Sequence, residues 1–134
     1  METTPARPTI SLPSPSPGTA NLDDVLASRR SIRQLSNEAL ADSDLSLLLW
    51  SMQGLTPAGN RTAPSAGATY PIELYVLDER GVLHYRTATH TLEVVSVDDV
   101  RSAFYREAAG QDAVRDGAAI FVITGVFDRA ATKY

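Results

Sequence analysis

The sequence of 134 residues contains no cysteine. Disulfide bonds, thiolate nucleophiles and cysteine metal sites are therefore excluded, and the absence fits a reducing cytosol. The two histidines are too few for a histidine-based metal site unless carboxylates join them. No apolar stretch approaches the roughly 20 residues that cross a bilayer, and the N-terminus lacks an apolar signal-peptide core. We therefore expect a cytoplasmic protein with no membrane partner.

Positive charge and phosphate-binding glycine motifs are also scarce. The formal net charge is −4 and the chain has a single lysine. General nucleic-acid binding depends on clustered positive charge, so no nucleic-acid partner is expected. The glycine-rich fingerprint of a Rossmann nicotinamide site, the Walker pattern and the Gly-x-Ser-x-Gly elbow are absent. Any anion site must be local.

The first 20 residues are rich in proline, serine and threonine, with five of the eight prolines of the chain. Such a composition buries too little apolar surface to offset the cost of ordering, which predicts a disordered tail over residues 1–20. A proline-rich docking peptide is the functional alternative. Residues 21–134 then form one domain, and an apolar share of 43% for the whole chain is sufficient for a core.

Helices and strands alternate after the tail. Asn21 is a good N-cap for a short first helix. Apolar residues at helical spacing predict a second, buried helix from about Asp42 to a stop at Gly54. Further periodicity predicts strands over 72–77, 82–86, 92–95 and 118–127, and a helix over 97–109. The expected class is α+β (α/β). Strand 118–127 is almost wholly apolar, which is typical of a strand that is covered on both faces. Only seven residues follow it, too few to cover it. We therefore expect a truncated form of a longer domain, or a partner chain that covers the strand.

Three arginines, Arg29, Arg30 and Arg33, lie within five residues. Guanidinium groups hold a phosphate bidentately, and the hydroxyl of Ser31 adds a donor. The cluster therefore indicates a phosphate site. Arginines at the end of a helix also interact favourably with its dipole without any ligand, and this alternative stays open.

Small residues fill the segment from Pro64 to Pro71. Ala66, Gly67 and Ala68 put little bulk beside the backbone, so a flat ring could lie against it. A tight connection between a helix and a strand is the simpler alternative.

Lys133, the only lysine, stands beside Tyr134, and both can donate or accept a proton if burial shifts their pKa values. An exposed position near a chain end is the alternative. His84 alternates with apolar residues in the predicted hairpin and is expected to face solvent. No catalytic role is assigned to it.

Together the two motifs resemble the paired signature of the nitroreductase-like FMN-dependent flavoproteins. Residues 29–33 (RRSIR) after a first helix resemble the opening motif, and residues 61–71 (RTAPSAGATYP) followed by IELYV resemble the second. The AGATYP form, with 48–55 (LLWSMQGL), is similar to the SagB-type branch, which oxidises azoline rings to azoles. The resemblance covers about residues 22–134.

The resemblance implies a nitroreductase-like fold, in which a mainly antiparallel central sheet is flanked by helices. The domain would be incomplete at its C-terminus. The resemblance also implies a homodimer with FMN at the subunit interface. Arg29, Arg30, Ser31 and Arg33 would hold the FMN phosphate and ribityl chain. Pro64, Ser65, Ala66 and Gly67 would line the flavin ring from the partner subunit, and Gln111 would face the flavin. Many nitroreductases have asparagine where Ala68 stands. Because family domains continue beyond this point, the chain alone is expected to bind FMN weakly or not at all.

The same resemblance implies that Lys133 would be the base in azoline oxidation and Tyr134 its hydrogen-bonding neighbour. The substrate would be a modified peptide within a peptide-modifying complex. Two alternatives remain. One is a nitroaromatic or quinone reductase of the same family that uses NAD(P)H. The other is a non-catalytic, truncated flavoprotein acting as a scaffold.

Overall fold

A computed structural model of the chain describes residues 6–133. The strands are Thr9–Ser11 (β1), Ile72–Asp78 (β2), Gly81–Arg86 (β3), Thr91–Ser96 (β4) and Ile120–Gly125 (β5). The helices are Leu22–Ser28 (α1), Asp42–Gln53 (α2), Arg101–Glu107 (α3), Asp112–Asp116 (α4) and Asp128–Ala131 (α5), with a short 3₁₀ turn at Ala66–Ala68. The strands form one antiparallel sheet in the order β1-β4-β3-β2-β5. The predicted α+β class is confirmed.

The hydrophobic core lies between α2 and one face of the sheet. Alternate residues of a strand point to opposite faces, and the buried side chains follow this alternation, for example Leu74 and Val76 of β2. From α2, Leu45 and Leu49 are almost completely buried in the same cluster. As predicted, α2 ends at Gly54, whose N–H donates to the carbonyl of Trp50.

The N-terminal segment contradicts the prediction of a disordered tail through residue 20. β1 pairs with β4, with Ile10 opposite Leu92, and Leu12 joins the core. The composition argument failed because two apolar residues at alternating positions are enough to complete a sheet edge. Residues 1–5 lie outside the described part, and residues 12–20 have no regular secondary structure.

A chain of partly buried hydrogen bonds connects this segment to the core. The hydroxyl of Ser46 donates to the carbonyl of Pro13 at 2.6 Å, and Nε2 of His90 lies 2.8 Å from the same hydroxyl oxygen. The hydroxyl of Tyr85 lies 2.9 Å from Nδ1 of His90, and burial raises the pKa of Tyr85 to about 12. Ser46 is fully buried and its proton is already donated, so this serine and histidine stabilise the fold and do not form a nucleophilic pair.

The last strand also differs from expectation. β5 pairs with β2 at the edge of the sheet, and Ile123 is 62% exposed, so it is not covered on both faces in a single chain. The predicted helix over 97–109 is shorter, because α3 covers only Arg101–Glu107 and ends before Ala109 and Gly110, which both have positive φ; α4 lies beyond the predicted range. α1, capped by Asn21 as predicted, has no buried residue.

Candidate functional site

The arginine cluster follows α1 on an exposed segment. Arg29, Arg30 and Arg33 are exposed, as is Ser31. Within residues 6–133 none of the three arginines has a carboxylate partner, whereas Arg80, Arg101, Arg115 and Arg129 all form ion pairs. The nearest internal contact is weak, from Arg30 Nη1 to the carbonyl of Ser28 at 3.4 Å. These guanidinium groups are therefore available for an external anion.

The small-residue loop has an unusual backbone. Gly67, Ala68 and Tyr70 have φ values of 61°, 54° and 43°. Non-glycine residues seldom adopt positive φ, and such strain is concentrated at ligand and active sites. The hydroxyl oxygen of Ser65 accepts the N–H of Tyr70 at 3.0 Å, which closes the loop on itself. Pro64, Ala66 and Gly67 remain exposed, so the outer surface of the loop carries only small side chains.

Arg61 fixes the base of this loop, a role not assigned from the sequence. Its guanidinium lies 5.0 Å from the ring centroid of Tyr70, a cation–π distance. Its Nη1 also donates to the carbonyl of Gln53 at 2.9 Å. The loop is therefore attached to the C-terminal end of α2, the helix that anchors the core.

The predicted base comes to this loop from the other end of the chain. Nζ of Lys133 donates a hydrogen bond to the carbonyl oxygen of Gly67. Lys133 follows α5, and the hydrogen bond spans 66 positions of the sequence. The structure thus brings together Lys133 and the segment expected to line a flavin ring. Tyr134 lies outside the described residues.

A charged cluster on the sheet face opposite the core supports α5. Glu73 Oε2 lies 2.6 Å from His84 Nε2, and Glu73 Oε1 lies 2.5 Å from Arg129 Nη1. Burial raises the pKa of Glu73, but the hydrogen bonds from His84 and Arg129 and the charge of Arg129 outweigh it, so that this pKa lies below its ordinary value. The cluster is a second group of polar residues next to the loop.

His84 does not face solvent as expected from the alternation. It is 8% exposed, because its ring stacks on Tyr75 with centroids 4.4 Å apart. Arg86 Nη1 lies 3.1 Å from Nδ1 of His84. Arginine can only donate, so Nδ1 accepts and Nε2 carries the proton that it donates to Glu73. The sequence signal that could have revealed this buried hydrogen bond is Glu73, which lies on the neighbouring strand of the predicted hairpin.

The remaining predicted site residues are not joined to the loop within one chain. Gln111 is exposed, and its backbone carbonyl accepts the N–H of Val114 at the start of α4. No hydrogen bond or ion pair within residues 6–133 links the arginine cluster to residues 64–71. The segment that follows the arginines instead lies near the start of β5, where the Cδ1 atom of Leu35 approaches Gly117.

The part of the chain from residue 6 to 133 lacks two other features. It contains no group of three or more histidine, aspartate or glutamate side chains placed to hold a metal ion. None of its helices has the length and apolar character needed to span a membrane.

Comparison with known proteins gives a consistent result. The model of the nitroreductase family matches residues 26–134. A curated protein from Methanocaldococcus jannaschii, described as a nitroreductase, is 32% identical over 120 residues, which cover 84% of this chain and 61% of that protein. The chain therefore spans about three fifths of the length of this relative.

Solved structures share the fold. A protein from Ralstonia eutropha described as a nitroreductase aligns with a TM-score of 0.80 at 29% identity, over 98% of this chain and 66% of that one. Another, from Anabaena variabilis, aligns with a TM-score of 0.64 at 26% identity, over 83% and 31%. The E. coli microcin synthetase McbBCD complex, with truncated pro-MccB17 bound, aligns with a TM-score of 0.59 at 25% identity, over 89% and 52%.

Proposed function

Because the chain belongs to the nitroreductase family, we propose that it forms an FMN-binding part of a flavin-dependent oxidoreductase. The observation that carries the proposal is the hydrogen bond from Lys133 to the carbonyl of Gly67. It joins the residue expected to move a proton to the loop expected to hold the flavin ring. Proteins of this family generally use FMN.

The residues after α1 are suited to the phosphate of FMN. Arg29, Arg30 and Arg33 are exposed and have no carboxylate partner within residues 6–133, and the hydroxyl of Ser31 lies between them in sequence. A phosphate would add charge-assisted hydrogen bonds without breaking an existing ion pair. Binding there therefore costs little reorganisation of the protein.

The loop at residues 64–67 is suited to a flat ring. Pro64, Ala66 and Gly67 present small, exposed side chains or none, and the positive φ of Gly67 turns the backbone without steric cost. The N–H groups of Ala68 and Tyr70 are already used within the loop, by Ser65. The ring-facing contacts are therefore assigned to residues 64–67, and Gln111 is proposed as a further flavin contact.

In the proposed reaction, Lys133 removes a proton from the substrate. FMN, when bound, would supply the acceptor for a hydride. The two-electron oxidation of an azoline to an azole removes one hydride and one proton from the ring, so it needs a base beside the hydride acceptor. Lys133, whose Nζ donates to the carbonyl of Gly67, is proposed as that base in its neutral amine form, becoming an ammonium as it takes the substrate proton, and Tyr134 is proposed as its hydrogen-bonding neighbour.

We favour a peptide azoline as the substrate. The AGATYP motif resembles the SagB-type branch, and the similarity to the microcin synthetase complex, solved with a peptide precursor, supports a peptide-modifying assembly. The similarity to proteins described as nitroreductases supports the second candidate, reduction of a nitroaromatic or quinone with NAD(P)H. A substrate panel given to the flavin-loaded protein separates the two, since only the first requires Lys133 to accept a substrate proton.

A homodimer is part of the proposal. Leu22, Val25 and Leu26 of α1 are 48–69% exposed, and Ile123 and Phe127 add 62% and 82% exposed apolar surface at the β5 edge. Exposed apolar patches of this kind mark interfaces. A second subunit could bring its loop to the arginines of the first. Hydrodynamic mass measured with and without FMN tests this arrangement and the scaffold alternative, which predicts no flavin absorbance.

The test of the FMN site compares two ligands that differ only in the phosphate. We expect the chain to bind FMN more tightly than riboflavin in a fluorescence titration. Arg29→Ala and Arg30→Ala should each weaken FMN binding by roughly tenfold, the value of one hydrogen bond to a charged group, and leave riboflavin binding unchanged. Arg106→Ala, an exposed arginine of α3, is the control. Equal affinities for FMN and riboflavin would refute the phosphate site.

A further inference from the structure

The short helix α5 has little packing to hold it in place. It contains four residues, Asp128–Ala131, and none is buried. A single helical turn is unstable by itself in water, because nucleation is unfavourable and helices below about 12 residues are marginal. Its position must therefore come from specific contacts, and Lys133 depends on that position because it follows the helix within two residues.

The specific contacts of α5 converge on Arg129. Its Nη1 donates to the carbonyl of Tyr70 at 3.0 Å and lies 2.5 Å from Oε1 of Glu73. One side chain thus attaches α5 both to the small-residue loop and to β2. The N–H of Val126, which donates to the carbonyl of Pro71 at 2.7 Å, holds the chain just before the helix.

Glu73 is itself held by a residue that cannot move easily. Its second oxygen, Oε2, accepts from Nε2 of His84 at 2.6 Å. His84 is buried, stacked on Tyr75, and contacted by Arg86 at its other ring nitrogen. The carboxylate of Glu73 is therefore fixed in orientation by His84 and offers its first oxygen to Arg129. An ordinary surface ion pair has no such buried support.

We propose that Glu73 is a positioning residue: oriented by His84, it holds Arg129 and α5 so that Lys133 stays on the carbonyl of Gly67. The inference rests on the proposed function, since it assigns to the cluster the placement of the base. Glu73 acts through Arg129 and touches neither substrate nor cofactor. A misplacement of a catalytic group by about 1 Å can cost about 100-fold in rate, so such a support matters for catalysis.

The experiment uses the fact that Lys133 is the only lysine. The chain is treated with an acetylating reagent at fixed pH, and peptide mass spectrometry gives the acetylation rate of Lys133 relative to the α-amino group of the same molecule. A hydrogen-bonded amine reacts more slowly than a free one. We expect Glu73→Gln and Arg129→Met each to raise the relative rate by roughly fivefold, the population change that corresponds to one hydrogen bond.

Arg115→Met is the matched control. Arg115 is an exposed, ion-paired arginine on α4 that belongs to none of these contacts, and its substitution should leave the relative rate unchanged. Circular dichroism confirms folding of each variant, and Arg129, 45% exposed, can be replaced without opening the core. An unchanged rate in folded Glu73→Gln and Arg129→Met overturns the proposal, as does an equal rise in Arg115→Met.

A second measurement separates this inference from the proposed function. In flavin-loaded protein the two variants should lower kcat at unchanged KM for the azoline, as loss of a positioned base predicts. FMN affinity should stay within twofold of the wild-type value. If the chain binds no flavin, the proposed function fails while the acetylation ratio still reports on Glu73. If flavin binds and the ratio does not change, the positioning role alone is wrong.

Discussion

Gly81 is the first residue of β3 after the turn from β2, and its replacement by alanine should be among the most damaging single-methyl changes in the chain. Its φ is +117°, a region that side-chain-bearing residues rarely adopt. A Cβ atom there would lie 2.1 Å from the carbonyl oxygen of Ser96 and 2.9 Å from Cα of Val97. Both neighbours are backbone atoms at the end of the adjoining strand, β4, so neither can rotate away as a side chain could.

The expected cost has two parts. An unfavourable backbone conformation costs about 1–3 kcal/mol, and forcing an extra carbon into a filled space costs about 1–3 kcal/mol more. Gly81→Ala should therefore lower the free energy of unfolding by about 4 kcal/mol. This is a large fraction of the roughly 5–15 kcal/mol that stabilises an ordinary domain. The hairpin that brings His84 opposite Tyr75 would be weakened at its turn.

Equilibrium unfolding in urea, followed by circular dichroism, measures these losses. Two other glycines separate the cost of the backbone conformation from the cost of the steric clash. At Gly54, without positive φ, a Cβ would meet the carbonyl oxygen of Trp50 at 2.6 Å, and at Gly18 it would meet nothing within 4 Å. The destabilisation should therefore follow the order Gly81, Gly54, Gly18, and Gly18→Ala should be neutral within about 0.5 kcal/mol. A Gly81→Ala variant within about 1 kcal/mol of the wild type would refute the reasoning.

Two further predictions concern the core and the charged cluster. Leu49→Ala should lower the free energy of unfolding by about 3 kcal/mol, because the side chain is fully buried. Leu48, at the neighbouring position, is 43% exposed, so Leu48→Ala should cost less than about 1 kcal/mol. Equal losses for the two variants in urea unfolding would contradict this assignment of the helix faces. Because the pKa of Glu73 lies below its ordinary 4.5, its ionised form stabilises the fold above that pH and this contribution is lost as the pH falls through the lowered value. The free energy of unfolding should be higher for the wild type than for Glu73→Gln at pH 7, and this difference should shrink in acid. A difference that does not change with pH would show that the charge of Glu73 is not what stabilises the fold.

Local sequence patterns were sufficient for the elements whose stability is local. The apolar spacing over α2, its stop at Gly54 and the Asn21 cap predicted those helices within one or two residues. The hairpin of β2 and β3 was likewise expected from two apolar runs and a short turn. In each case the residues that decide the structure lie within a few positions of one another.

Three of the errors involve contacts between different strands or with a covering element, which a single-strand pattern does not contain. β1 forms because β4 offers an unpaired edge 80 to 84 residues later, and composition alone does not reveal that edge. His84 is buried because Tyr75, Glu73 and Arg86 surround it from two strands. β5 was expected to be covered because its residues are apolar, but an apolar strand does not by itself specify what covers it.

The candidate site divides in the same way. The small-residue loop was recognised from its composition, and the structure adds that its backbone has positive φ at three positions. Lys133 was singled out from its place beside Tyr134, but the contact with Gly67 depends on β5 returning the chain to the start of β2. The roles of Arg61 and Glu73 required the folded structure, since neither stands in a pattern that indicates a loop anchor.

The pairing of β1 has a practical consequence for recombinant work. The first 20 residues invite removal on grounds of composition, and a protein beginning near Asn21 would look like a sensible expression design. That design would leave β4 with a bare edge able to recruit other chains, which is a route to aggregation. It would also take away the carbonyl of Pro13, which lies within hydrogen-bond distance of both Ser46 and His90. Purification handles are better placed upstream of these residues than substituted for them.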